Sequence, residues 1–177
     1  MKMLKFKRFI TTAVILLAAY LLQSTVFSHL ELAGIKPNLL LIVTAAFGFM
    51  RGPKEGMWIG LAAGLLLDVQ CGDIIGFYGL IYLLVGALNG LLEQFFFDEG
   101  IKLPLLLITL SEFLYGIVIY FLMFLLKSDF KFPYYLGRII VPELIYTIMV
   151  TLIVYPLILW VNHKLEAEEK RSASKFV

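Results

Sequence analysis

Cysteine is nearly missing from this chain: Cys71 is the only one in 177 residues. An internal disulfide and a cysteine metal cluster are therefore excluded, and Cys71 reads as a small residue in an interfacial loop. Histidine is almost as scarce. His29 and His163 fall at opposite ends of the apolar segments, and neither has a serine placed for an intramembrane dyad. No Gly-Lys-Ser/Thr phosphate loop is present. Too little polar chain separates the apolar segments to build a soluble active site, so an enzyme is not expected. Linkers and low-complexity tracts are lacking too, which leaves one domain, 1–177. Charged residues make up only 16% of the chain, with a net charge of +2. No cofactor, metal or nucleic acid is expected to bind.

What fills the chain is apolar: 61% of residues are hydrophobic and the mean hydropathy is +0.92. Soluble domains of this length do not have that composition; membrane proteins do. A helix needs about 20 apolar residues to cross a hydrocarbon core of roughly 30 Å. Phe9–Ser28, Ile74–Glu93, Leu103–Leu126 and Ile139–Asn162 meet that length. Asn38–Met50 and Glu55–Val69 are shorter, each covering some ~20 Å at about 1.5 Å per residue. The expected fold is all-α, a six-helix transmembrane bundle with a polar tail, His163–Val177, that prolongs the last helix and then frays. The first segment is too long for a signal-peptide core and no small-residue cleavage site follows it, so it is kept as a helix.

The basic residues are unevenly placed. Lys2, Lys5, Lys7 and Arg8 precede the first segment, and Lys164, Lys170, Arg171 and Lys175 follow the last. Six crossings with both termini in the cytoplasm leave only Lys36, Lys127, Lys131 and Arg138 of the 15 basic residues outside. A multi-pass protein of the cytoplasmic membrane is expected.

The two short segments form a tight hairpin. Pro37 suits a helix start, where its missing N–H costs nothing, and Asn38 is placed to cap that turn. Gly52-Pro53 breaks the chain, and Glu55 then suits the positive end of the third helix. Arg51 and Lys54 stand at the tip. Two geometries accommodate short arms: a full crossing through a thinned or protein-shielded region, or a re-entrant hairpin. Re-entry buries Arg51, Lys54 and Glu55 near the bilayer centre at roughly 2.5–3.5 kcal/mol for each cation. Full crossing is preferred.

Glycines recur every fourth residue through Gly56, Gly60 and Gly64, and Asp68 continues the step. Such a strip lets another helix approach closely, either inside the chain or from a partner. Gly86 and Gly90 make a second strip, so one could serve the internal contact and the other a partner. Asp68 and Asp73 flank the outer end of the third helix, and Arg138 and Glu143 lie near the outer beginning of the sixth. Together they are candidates for an outward-facing polar pocket, or for groups in the wet interface. A spacing of five across a helix end suits an aspartyl peptidase pair poorly. Glu112, in the middle of the fifth helix, is expected to point into the bundle and hydrogen-bond Asn89. Phe95-Phe96-Phe97 and Phe130 to Tyr135 read as an interfacial aromatic belt.

These pieces occur in a telling order: Gln23-Ser24, then Lys36-Pro37-Asn38, then Arg51-Gly52-Pro53-Lys54-Glu55-Gly56, then Gly60, Gly64, Asp68 and Gly72. The order resembles the rod shape-determining protein MreD family, most strongly from Lys36 to Gly90. That family's pattern carries an acidic residue where this chain has Asn38, which keeps the capping oxygen but not the charge. The resemblance implies a fold similar to the S components of energy-coupling-factor transporters. It also implies a non-enzymatic role in cell elongation beside an MreC-like bitopic partner, with an MreB-like cytoskeleton and peptidoglycan synthases engaged indirectly. On this reading the glycine groove receives the partner's transmembrane helix, and homodimerisation stays open. The competing reading is a vitamin-binding transporter subunit that uses the outer acids.

Overall fold

The computed structural model describes residues 2–31, 34–71, 74–93, 102–127 and 132–173. Among these the chain is all-α, with no strand. We number six principal helices: α1 (Lys2–Leu21), α2 (Leu39–Arg51), α3 (Pro53–Cys71), α4 (Phe77–Glu93), α5 (Lys102–Lys127) and α6 (Val141–Ala173). A π-helical turn, Leu22–Val26, prolongs α1 into the short helix Phe27–His29. A short helix, Phe132–Tyr135, and a second π-helical turn, Leu136–Ile140, lead into α6. The belt residues Phe95-Phe96-Phe97 and Phe130, with Gly72 and Asp73, lie outside the described residues.

Among the described residues, three helical stretches are long and apolar enough to cross a membrane: Phe6–His29, Lys102–Leu122 and Phe132–Arg171. Leu39–Arg51 and Phe77–Leu92 are apolar but shorter. The segment expected to span from Ile74 begins its helix only at Phe77. Gly76, at φ +97°, turns the chain just before it, a conformation that glycine adopts without penalty. At the other end, α6 runs on to Ala173, so much of the polar tail is helical.

The short α2 is the axis of the bundle. Every residue from Leu39 to Phe49 is buried, and α2 packs against α1, α3, α4, α5 and α6. A helix apolar on all sides is stable only when surrounded on all sides. Protein, rather than lipid, therefore covers it, which accounts for its short arm. Its N-terminal amides are answered by three elements. Asn38 Oδ1 accepts from Leu41 N–H at 3.2 Å, Gln23 Oε1 of the first π-helical turn accepts from Leu40 N–H at 3.1 Å, and Asn38 N–H donates to Thr147 Oγ1 of α6 at 3.1 Å. The expected Asn38 cap is thus present.

Candidate functional site

The hairpin tip is locked to the chain ends. Gly52, at φ +83°, allows the turn and donates its N–H to the Gly48 carbonyl, and Pro53 opens α3. The Arg51 side chain is almost fully enclosed. Its Nε donates to Asn162 Oδ1 of α6 at 2.8 Å, and its Nη1 to Thr12 Oγ1 of α1 at 2.7 Å. The guanidinium also stands 4.1 Å from the Phe47 ring centroid. Glu55 lies 3.3 Å from Arg8 and 3.7 Å from Arg51. Arg8 reaches Glu169 at 3.4 Å, and Lys7 pairs with Glu168. One planar cation with five donors thus ties three helices at a single point, which an ammonium could not do.

The glycine strips meet each other. A methyl group at Gly60 would stand 2.7 Å from the Tyr82 carbonyl carbon, and one at Gly64 2.6 Å from the Gly79 Cα. From the opposite side, a methyl at Gly86 would stand 2.6 Å from the Gly56 carbonyl carbon, and one at Gly90 2.5 Å from the Gly52 carbonyl carbon. Each separation is below any real Cβ contact, and each obstacle is backbone. The two strips of α3 and α4 therefore form one closed seam. This corrects the expectation that Gly56, Gly60, Gly64, Gly86 or Gly90 offers an open groove to a foreign helix. The four-residue steps on both helices are complementary, and the nearest backbone able to fill them belongs to the same chain.

Asp68 belongs to that seam rather than to a pocket or a partner groove. It is 2% exposed and accepts three backbone N–H bonds. Its Oδ1 takes Tyr78 N–H at 2.8 Å, and its Oδ2 takes Gly76 N–H at 2.9 Å and Gly79 N–H at 3.1 Å. A carboxylate at the positive end of α4 satisfies amides that have no intrahelical partner.

Glu112 turns into the bundle as expected and is 3% exposed, but it does not meet Asn89. Asn89 instead donates to Ser111 Oγ at 2.7 Å and to the Val85 carbonyl at 2.9 Å. Adjacent helical residues point about 100° apart, so Ser111 and Glu112 cannot both face Asn89. The Glu112 carboxyl instead faces the Asn38 and Thr147 side chains as hydrogen-bonding neighbours.

A cavity of about 460 Å³ opens at the end of the bundle away from the two termini. Its walls include Gln23 of the first π-helical turn, Asn38 at the head of α2, Tyr78 and Tyr82 of α4, Tyr115 of α5 and Glu143 of α6. Tyr82 donates its hydroxyl to Asn38 Oδ1 at 2.6 Å, and its ring meets Tyr115 edge-on at 5.6 Å between centroids. Of the expected outer acids that lie among the described residues, Glu143 lines this space and Asp68 does not. Arg138 is exposed, with its guanidinium 5.9 Å from the Tyr134 ring centroid. Lys36, also in the wall, is engaged by Glu31 at 3.1 Å and donates to Ser28 Oγ at 2.9 Å. The tyrosines were missed in the sequence, although Tyr78 and Tyr82 are spaced i, i+4, which places them on one helix face. Among the described residues no group of His, Cys, Asp and Glu is arranged to hold a metal ion.

Neither the comparison with curated proteins nor that with solved structures returns a match. A family model described as rod shape-determining protein MreD matches residues 3–164, nearly the whole described bundle with its hairpin latch, glycine seam and outer cavity. The chain belongs to the rod shape-determining protein MreD family.

Proposed function

We propose that this chain is a non-enzymatic scaffold of the bacterial cell-elongation machinery. It docks the single transmembrane helix of an MreC-like partner and so helps to organise lateral peptidoglycan synthesis, with an MreB-like cytoskeleton and the synthases engaged through that partner. Its family gives it a role in rod shape determination, and its long apolar helices make it a membrane protein. Basic residues gathered near both termini support a cytoplasmic location for the two ends.

The observation that carries the docking reading is the openness of α1. Only 17% of its spanning window is buried, against 33% for the span in α5 and 28% for that in α6. Ile10, Val14, Leu17 and Leu21 are exposed and recur at steps of four, three and four along one side of α1. That spacing suits a helix that packs against another, and supports α1 as the docking side. With the glycine seam closed, the partner helix is assigned to this side.

Photo-cross-linking from single positions tests it. A reactive group at Val14 or Leu17 is expected to capture the bitopic partner, and one at Leu110 of α5 or Met149 of α6 is not. Capture from α5 or α6 alone overturns the assignment to α1. Purification from native membranes without any bitopic partner overturns the scaffold reading itself.

A further inference from the structure

One carboxyl group, that of Glu143, lines the outer cavity with no ion pair among the described residues. Glu112 lies next to the wall residue Asn38, almost fully enclosed and outside the cavity's own lining. Among the described residues, Lys36 is engaged by Glu31 and Ser28, and Arg138 lies against the Tyr134 ring. Asp68, close in sequence to the wall residue Leu67, is saturated by three backbone amides. Carboxyl groups inside an apolar bundle are costly unless something meets them.

The remaining wall chemistry points the same way. Tyr78 and Tyr115 stand half-buried in its wall, and the faces of such rings attract cations within about 6 Å of the centroid. The volume is an order of magnitude above the roughly 30 Å³ that one water occupies and lies within the range of small-molecule sites. An anion would meet like charge there, and an acyl chain would leave Glu143 unanswered. We propose that this cavity binds an organic cation, an ammonium or guanidinium group on a short body, held between the Glu143 carboxyl and the rings of Tyr78 and Tyr115. The group arrives either on a free small molecule or on the ethanolamine headgroup of a lipid. This site is separate from the α1 side assigned to the partner helix, so either idea can fail without the other.

The test uses the full chain in nonionic detergent and in nanodiscs. In detergent, thermal unfolding is followed during titration with choline, with butylguanidine and with 3,3-dimethylbutanol, the uncharged isostere of choline. In nanodiscs, phosphatidylglycerol alone is compared with phosphatidylglycerol plus phosphatidylethanolamine. A saturable rise in unfolding temperature with the cations, absent with the isostere and weakened roughly 30-fold or more in Glu143→Gln, supports the site and a soluble source. A rise seen only with phosphatidylethanolamine, and lost in Glu143→Gln, supports the site and a headgroup source. Equal behaviour of cations, isostere and both lipid mixtures overturns the proposal, as does a rise that survives Glu143→Gln. Should that variant fail to fold, carbodiimide labelling of Glu143 in the unaltered protein decides. Protection by choline but not by the isostere supports the site, and labelling unchanged by either overturns it.

Discussion

Asp68 and Glu112 are both acids enclosed in the bundle, yet their surroundings differ completely. Asp68 takes three backbone amides and welds the end of α3 to the start of α4. Glu112 takes no backbone amide, facing only the Asn38 and Thr147 side chains, and sits behind a cavity whose wall holds a second acid, Glu143. A carboxylate with its lone pairs filled is part of the architecture. One that meets only two side chains beside a cavity contributes less to the fold. The same division separates the regions around them. The α3–α4 seam is backbone against backbone with no room for a methyl group, while the opposite end of α2 opens into a space large enough for a small molecule.

The seam is the place to break this contrast most severely. Gly60→Leu is expected to abolish the folded, monodisperse protein, measured by size-exclusion yield in detergent. Overpacking costs typically about 1–3 kcal/mol when side chains can move aside, and here the obstacle is the Tyr82 carbonyl, which cannot. Loss of partner capture in that variant would report unfolding rather than docking. A well-folded Gly60→Leu protein would mean that the seam is looser than described.

The two acids supply the next comparison. Asp68→Asn replaces one accepting oxygen with a donor that faces backbone N–H groups. Hydrogen bonds to a charged group contribute about 1.5–3 kcal/mol each, so a loss of about 2–3 kcal/mol is expected. Glu112→Gln keeps an accepting oxygen beside Asn38 and Thr147 while removing a buried acid, and is expected to stay within about 1 kcal/mol of the parent or to stabilise it. Thermal or denaturant unfolding of the pair in one detergent checks both. If Glu112→Gln proves the more damaging, the division between the two carboxyls does not hold.

Much of this was legible in the residues, and the limits have physical causes. Hydropathy and length located all six helices, because apolar stretches of that size have few alternatives. Pro37-Asn38 and Gly52-Pro53 marked the ends of α2 because cap and turn chemistry is local. The four-residue glycine steps revealed a close helix contact but not its occupant, since a partner and α4 present equally apolar backbones to the strip. The role of Asp68 depends on Gly76, Tyr78 and Gly79, whose free amides exist only once α4 begins at Phe77. Asn89 and Glu112 were matched by depth along the helix, when the direction around it decided the pairing. The cavity was only partly visible, because its walls come from segments brought together by the buried α2.

Arg51 offers a milder test at the opposite end of the bundle. Arg51→Lys keeps the charge but cannot hold Thr12 and Asn162 at once while covering the Phe47 ring. A loss of about 1–2 kcal/mol is expected, from one or two hydrogen bonds forfeited by a charged donor. Cysteine accessibility at Lys54 is expected to rise in the same variant, since the tip would no longer be tied to α1 and α6. An unchanged unfolding curve would reduce Arg51 from a latch to a solvated tip charge.

The smallest effect carries the control for all the glycine arguments. Gly137, in the turn before α6, is exposed, and a methyl group there would meet nothing within 4 Å. Gly137→Ala is therefore expected to leave the fold intact and to gain up to about 1 kcal/mol through reduced backbone freedom in the unfolded chain. Set beside Gly60→Leu and a gentler Gly60→Ala, it separates two reasons for finding glycine in a helix. If alanine is tolerated equally at both positions, the spacing of glycines on α3 reflects composition and not contact. If Gly137→Ala is neutral or stabilising while Gly60→Ala destabilises, the cost belongs to the seam, where the backbones of α3 and α4 leave no volume for a single carbon.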